Sequence, residues 1–136
     1  MDKEFVPPTE SLELKELGFN EPCFGYYVDG ELRGINLGHE GLGGIKPYYK
    51  RFGFHTLCNS DINNTEKSVV TAPTFSQAFR FFREKGYDVN VQKESEGVYF
   101  GFYWSGVAWV IVGEGTYEQA ELECLRKLIE IVKNKP

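Results

Sequence analysis

Thr74-Phe75-Ser76-Gln77-Ala78 and Thr116-Tyr117-Glu118-Gln119-Ala120 are two versions of one phrase, and the residues they bracket, 73–132, decide the fold. In each phrase a threonine can cap a helix while the glutamine three positions on reaches back to the cap's own N–H. After the first, Phe75, Ala78, Phe79 and Phe82 recur at i, i+3, i+4 and i+7, Phe81 widens the stripe, and Gly86 supplies a left-handed end. The spacing predicts a helix from Thr74 to about Lys85. After the second phrase, Tyr117, Ala120, Cys124, Leu128 and Ile131 share a face, with Leu122, Leu125, Ile129 and Val132 beside them. Acids fall early in it (Glu118, Glu121, Glu123) and bases later (Arg126, Lys127, Lys133), as the helix dipole favours, so a helix runs from Tyr117 to about Val132.

Between the helices the period drops to two. Tyr87, Val89 and Val91 alternate with Asp88, Asn90 and Gln92, which reads as a half-exposed strand ending at a turn over Glu94 to Gly97. Val98 to Trp104 and Val107 to Val112 then read as apolar strands joined at Ser105-Gly106. Val98, Phe100, Phe102 and Trp104 point one way, Tyr99 and Tyr103 the other; Val107, Trp109 and Ile111 oppose Ala108, Val110 and Val112. Apolar residues on both faces exceed what a one-sided sheet needs. Helices are expected over one face, and the N-terminal half or a second subunit over the other.

Working outward, residues 1–8 form an extended arm, and Thr9 is expected to cap a helix through about Leu17 that buries Leu12, Leu14 and Leu17 and ends at Gly18, with Phe19 folding back. Cys23 to Val28 reads as a strand, Asp29-Gly30 as a tight turn and Glu31 to Leu37 as the return strand. Gly38 to Val69 is the least regular region: four glycines (Gly38, Gly41, Gly43, Gly44), an aromatic and basic run from Lys46 to Phe54, and a polar segment from Asn59 to Asn64. A connection this long is functional or hides an element. Val69-Val70 fits a short strand. The expected fold class is α+β: an α-β-β-β-α core over 73–133, with a helix and hairpin over 9–37 completing a small antiparallel sheet, in one domain spanning 1–136.

Composition narrows the function. With 136 residues, 41% of them hydrophobic, the chain can bury a core without staples. Twenty acidic against 15 basic residues give a net charge of −5, which disfavours a general nucleic-acid binder. Cys23, Cys58 and Cys124 are odd in number and widely spaced, so a reducing compartment is expected, with Cys124 a small buried hydrophobe. The charged start Met1-Asp2-Lys3-Glu4 leads into no apolar signal region, and no run approaches the length of a membrane span. A cytoplasmic protein is expected, in which the sequon at Asn63-Asn64-Thr65 carries no meaning.

Several constellations invite chemistry. Cys23 or Cys58 with His39 or His55 and an acid such as Glu40 or Asp61 would make a nucleophilic triad, but no local signature surrounds either thiol. The same residues lack the paired spacing of a zinc site. Gly38-His39-Glu40-Gly41-Leu42-Gly43-Gly44 lacks the ending of a phosphate loop and reads as a flexible connection. Helix, meander, helix is also the order of a double-stranded-RNA-binding domain, yet Glu118, Glu121 and Glu123 stand where such a domain needs bases. Tyr48, Tyr49, Lys50, Arg51 and Phe52, with Phe54, form the only basic cluster in an acidic chain and are the expected binding residues, suited to an acidic protein surface or to bases. No catalytic, metal-binding or cofactor-binding residue is assigned.

Three phrases resemble a family of short uncharacterised proteins encoded by phages, prophages and mobile elements of bacteria: Leu14 to Phe19 with Glu21-Pro22-Cys23, Ala72 to Lys85, and Tyr117 to Leu125 with Leu128 to Lys133. The segment from Gly38 to Cys58 is longer or more divergent than the family leads one to expect. The resemblance implies a bacterial cytoplasmic setting and supplies no activity. The resulting expectation is a non-enzymatic protein-binding accessory factor, its partner another protein or a second copy at the apolar sheet face, with no membrane association. A small thiol hydrolase or ligand-binding enzyme using residues 38–64, and a nucleic-acid-binding module, are the alternatives.

Overall fold

The computed structural model describes residues 4–34, 57–62 and 69–135. The fold is α+β: among the described residues there are three α-helices and two three-stranded antiparallel sheets. The chain divides into two compact units, Met1–Thr74 and Phe75–Pro136.

In the first unit, helix α1 spans Pro8–Glu16 and the strands are β1 (Gly25–Val28), β2 (Glu31–Gly34) and β3 (Val69–Ala72), ordered β2-β1-β3. Thr9 is not the cap of α1. Pro7 holds that position and Pro8 begins the helix, because proline's fixed φ suits the first helical position and its missing N–H would have had no partner there. Leu14 is buried, whereas Leu12 faces solvent. After the helix, the Phe19 N–H donates to the Leu14 carbonyl at 2.9 Å, which folds the buried Phe19 ring back as the sequence suggests.

Asp29 and Gly30 both have positive φ, 50° and 83°, as a two-residue turn between right-twisting strands requires. This hairpin does not extend the later meander. Its third strand is β3, with Val28 opposite Val69 and Tyr27 opposite Val70. Every residue of β1 and β3 is buried: Tyr26, Val28 and Val69 pack with Leu57 on one face, Tyr27, Val70 and Ala72 on the other. The irregular region does hide an element. Leu57 bridges Cys23, and Asn59–Asp61 form a 3-10 turn. From that turn the Asn59 amide donates to the Phe19 carbonyl (2.9 Å) and its oxygen accepts from the Thr71 N–H (3.0 Å).

The second unit is helix α2 (Phe75–Glu84), strands β4 (Val89–Ser95), β5 (Val98–Trp104) and β6 (Trp109–Gly115), and helix α3 (Tyr117–Lys133). The strands form a meander, β4-β5-β6. Helix α2 buries Phe75, Ala78 and Phe82, and its end is closed by the Tyr87 N–H on the Phe82 carbonyl. Helix α3 has the expected reciprocal cap: Gln119 N–H donates to Thr116 Oγ1 (3.2 Å) and Thr116 N–H to Gln119 Oε1 (2.8 Å).

Strand β6 begins later and ends later than the alternation from Val107 to Val112 suggests. Ser105 is the reason: its N–H donates to the Ala108 carbonyl, while its hydroxyl accepts from the N–H groups of Val107 and Ala108. These bonds hold Val107 and Ala108 in the turn. Helix α3 then crosses the meander through its glycines. A β-carbon at Gly101 would lie 2.5 Å from Cys124 Sγ, and one at Gly113 2.5 Å from Glu123 Cβ. The helix ends near β4, where Lys135 Nζ donates to the Tyr87 hydroxyl at 2.9 Å.

Candidate functional site

The expected binding residues Tyr48, Tyr49, Lys50, Arg51 and Phe52, with His39, Glu40 and His55, lie outside the described residues. Of the proposed nucleophilic sets, Cys23, Cys58 and Asp61 are described. Cys23 and Cys58 are brought close together by the Cys23–Leu57 bridge, but both are buried. Burial pushes the Cys23 thiol up to about 12; the adjacent Cys58 and Glu21 add to the shift and the Thr71 hydroxyl opposes it. A nucleophilic cysteine needs the opposite, a stabilised thiolate within reach of solvent. Asp61 is engaged locally: its carboxylate accepts from the Cys58 N–H at 3.2 Å, and its own N–H donates to the Cys58 carbonyl at 3.0 Å. Cys124 faces Gly101 from α3, and burial pushes it up to about 11. Among the described residues no group of three or more His, Cys, Asp or Glu could hold a metal ion. No helix among them is long and apolar enough to cross a membrane.

The register of the meander sorts its side chains. Residues directly opposite one another share a face, so Asn90, Gln92, Phe100, Phe102, Trp104, Trp109, Ile111 and Glu114 stand together, away from α3. On this face Trp109 is 49% exposed and Ile111 58%, while Phe100, Phe102 and Trp104 are half-buried. The rings meet edge to face or tilted: Trp104 and Trp109 have centroids 5.4 Å apart, Phe100 and Phe102 6.3 Å. A hollow of about 200 Å³ opens here, bounded by Phe102, Trp109 and the amides of Asn90 and Gln92. Glu114 is the one charged residue among these eight.

A second concavity, polar in character, lies between α2, the outer side of β4 and the start of α3. It has a volume of about 330 Å³ and is bounded by Ser76, Arg83, Asn90, Tyr117 and Glu121 among others. Partial burial raises the Glu121 carboxyl above its ordinary value, against a hydrogen bond from Tyr117 that favours the ionised form and a repulsion from Glu118 that does not. The Tyr117 phenol is raised too, chiefly by desolvation and then by the Glu121 charge. This groove can hold a polar group.

Sequence reasoning found the apolar alternation that makes the aromatic face, but not its exposure and not the part played by Asn90 and Gln92. Their signal was present in the half-polar alternation of β4. The Ser76–Arg83–Glu121 groove had no signal, because its members come from separate helices whose mutual approach no local pattern specifies. Comparison with family models, with curated proteins and with solved structures gives no match.

Proposed function

We propose that this chain is a non-enzymatic protein-binding accessory factor that presents the aromatic face of its meander to a protein partner. The observation that carries this reading is Trp109 and Ile111, both about half exposed, standing on one face with Phe100, Phe102 and Trp104. Tryptophan and other large apolar side chains clustered around a shallow hollow are what interface hot spots are made of. Covering such a face stabilises a complex by about 1.5–3 kcal/mol per large side chain fully removed from water. The Asn90 and Gln92 amides at the margin supply the directional contacts that fix orientation.

None of the residues that the register sets on this face is basic, which supports a protein partner over a nucleic acid, whose phosphates require bases. The resemblance of residues 14–23, 72–85 and 117–133 to phage and mobile-element proteins supports a bacterial cytoplasmic setting. The Tyr48 to Phe52 cluster is assigned to the same role, as a positively charged contact for an acidic surface.

The test is affinity purification of the tagged full chain from its native cell, beside the Trp109→Ala, Phe102→Ala and K50E/R51E variants. A stoichiometric partner should be captured by the wild type and lost, at unchanged circular dichroism, with Trp109→Ala. Capture that survives both face substitutions would remove the meander from the reading. Capture unaffected by K50E/R51E would remove the loop.

A further inference from the structure

We propose that β6 pairs with β6 of a second copy of this chain, antiparallel about a two-fold axis through Val110, so that two three-stranded meanders become one continuous sheet. This rests on the protein-binding reading and names a second copy as one partner of the same meander, at its edge.

Among the described residues, strand β6 is bonded on one side only, to β5. The direction of its free groups follows from two bonds at the top of the meander. The Ser105 N–H donates to the Ala108 carbonyl, and the Trp104 N–H turns the other way, to the Asp88 carbonyl. Hydrogen-bonding direction alternates along an antiparallel strand. Val110, opposite Tyr103, therefore bonds inward to β5, and the N–H and C=O groups of Trp109 and Ile111 face outward. These are donors and acceptors in the geometry that another strand completes.

The same stretch is open above and below. Trp109 and Ile111 are exposed on the face away from α3, and Val110, on the helix side, is 45% exposed. The path of α3 explains this: it covers Gly113 and Gly101, then reaches Tyr87 beside β4, leaving the Trp109 end of β6 bare. From Val107 to Val112 there is no lysine, proline or acid of the kind that protects a free edge.

An uncharged, apolar edge is complementary to itself. Centred on Val110, antiparallel pairing sets Trp109 opposite Ile111 of the other copy, and each such pair exchanges both its N–H···O bonds. Val110 then faces its own counterpart across the axis in the close, non-hydrogen-bonded position. Glu114 falls opposite Gly106, so no carboxylate meets another. The register shift beyond Ile111, where Gly101 pairs Gly113 and Phe102 pairs Ile111, bends the strand and limits the pairing to this end. Both aromatic faces emerge on the same side of the joined sheet.

The test is sedimentation of the full chain, together with cross-linking of single-cysteine additions. Cys23, Cys58 and Cys124 are buried, so an added thiol at position 110 is the accessible one. The wild type should sediment at twice the monomer mass at micromolar concentration. Val110→Cys should convert to a disulfide-linked dimer on mild oxidation, and Ala108→Cys, displaced from the axis, should not. Ile111→Pro removes only an outward N–H and should halve the sedimenting mass with circular dichroism unchanged; if that variant misfolds, the paired cysteine variants decide alone. A wild type that stays monomeric, or equal cross-linking at 108 and 110, would overturn the proposal. A monomer that still captures a partner through Trp109 would sink the dimer and leave the protein-binding reading standing. A dimer whose partner capture ignores Trp109→Ala and Phe102→Ala would do the reverse.

Discussion

One of the close approaches of α3 to the meander is made at a residue with no side chain. A methyl group at Gly101 would meet Cys124 Sγ at 2.5 Å and the Ala120 carbonyl oxygen at 2.9 Å, and the latter belongs to a helix backbone that cannot yield locally. Gly101→Ala should therefore lower stability by about 1–3 kcal/mol through overpacking, read as a lower denaturation midpoint at unchanged slope. Glu121 gives a prediction with a sign. Its carboxyl is raised in the folded state, chiefly by burial, so the folded chain holds that proton more tightly than the unfolded one. The stability this contributes is present at low pH and lost as pH rises through the folded value. Glu121→Gln should melt above the wild type at neutral pH, and the two melting temperatures should converge once the pH falls below the carboxylate range. Cys23, with its thiol pushed up to about 12, should react with a thiol reagent at neutral pH only as fast as the protein opens, and at full rate in denaturant. Neither the Gly101 nor the Glu121 environment was legible in the sequence, since each depends on which residue the fold sets opposite.

Elements were legible where their stop and start signals are local. The Thr116–Gln119 cap of α3 is one such signal, and Thr116→Ala should cost about 1 kcal/mol in a thermal or denaturant melt. Asp29-Gly30 is another: a turn that demands positive φ twice names its own residues. The misplaced boundaries fell where a neighbour outweighed the local pattern. Pro8 started α1 ahead of Thr9, and the Ser105 hydroxyl drew Val107 and Ala108 out of β6. The candidate face was half legible for a related reason. Alternation from Val98 to Ile111 reveals that both sides are apolar, but which side a helix covers follows from Gly101 and Gly113, whose meaning appears only once α3 lies across them.

At the scale of the whole molecule, five more acidic than basic charges per chain oppose association beyond the proposed dimer at neutral pH. Near the isoelectric point, about 5.1, that repulsion vanishes while the aromatic face around Trp109 and Ile111 stays exposed, so light scattering should rise sharply there and rise less with Ile111→Lys. The pairing of β1 with β3 was the least legible feature, because nothing local in Val69–Ala72 specifies a strand as remote as Gly25–Val28. That pairing also fixes how freely the chain between them can change. Its ends are held firmly: Val28 against Val69, Cys23 against Leu57, and the Asn59 amide between Phe19 and Thr71. For any flexible segment between fixed ends, the entropy of closure grows only with the logarithm of its length, and doubling the length adds roughly 0.6 kcal/mol. Inserting residues into the span 35–56 should therefore move the denaturation midpoint little, because the pairings that hold its two ends are made by residues outside it.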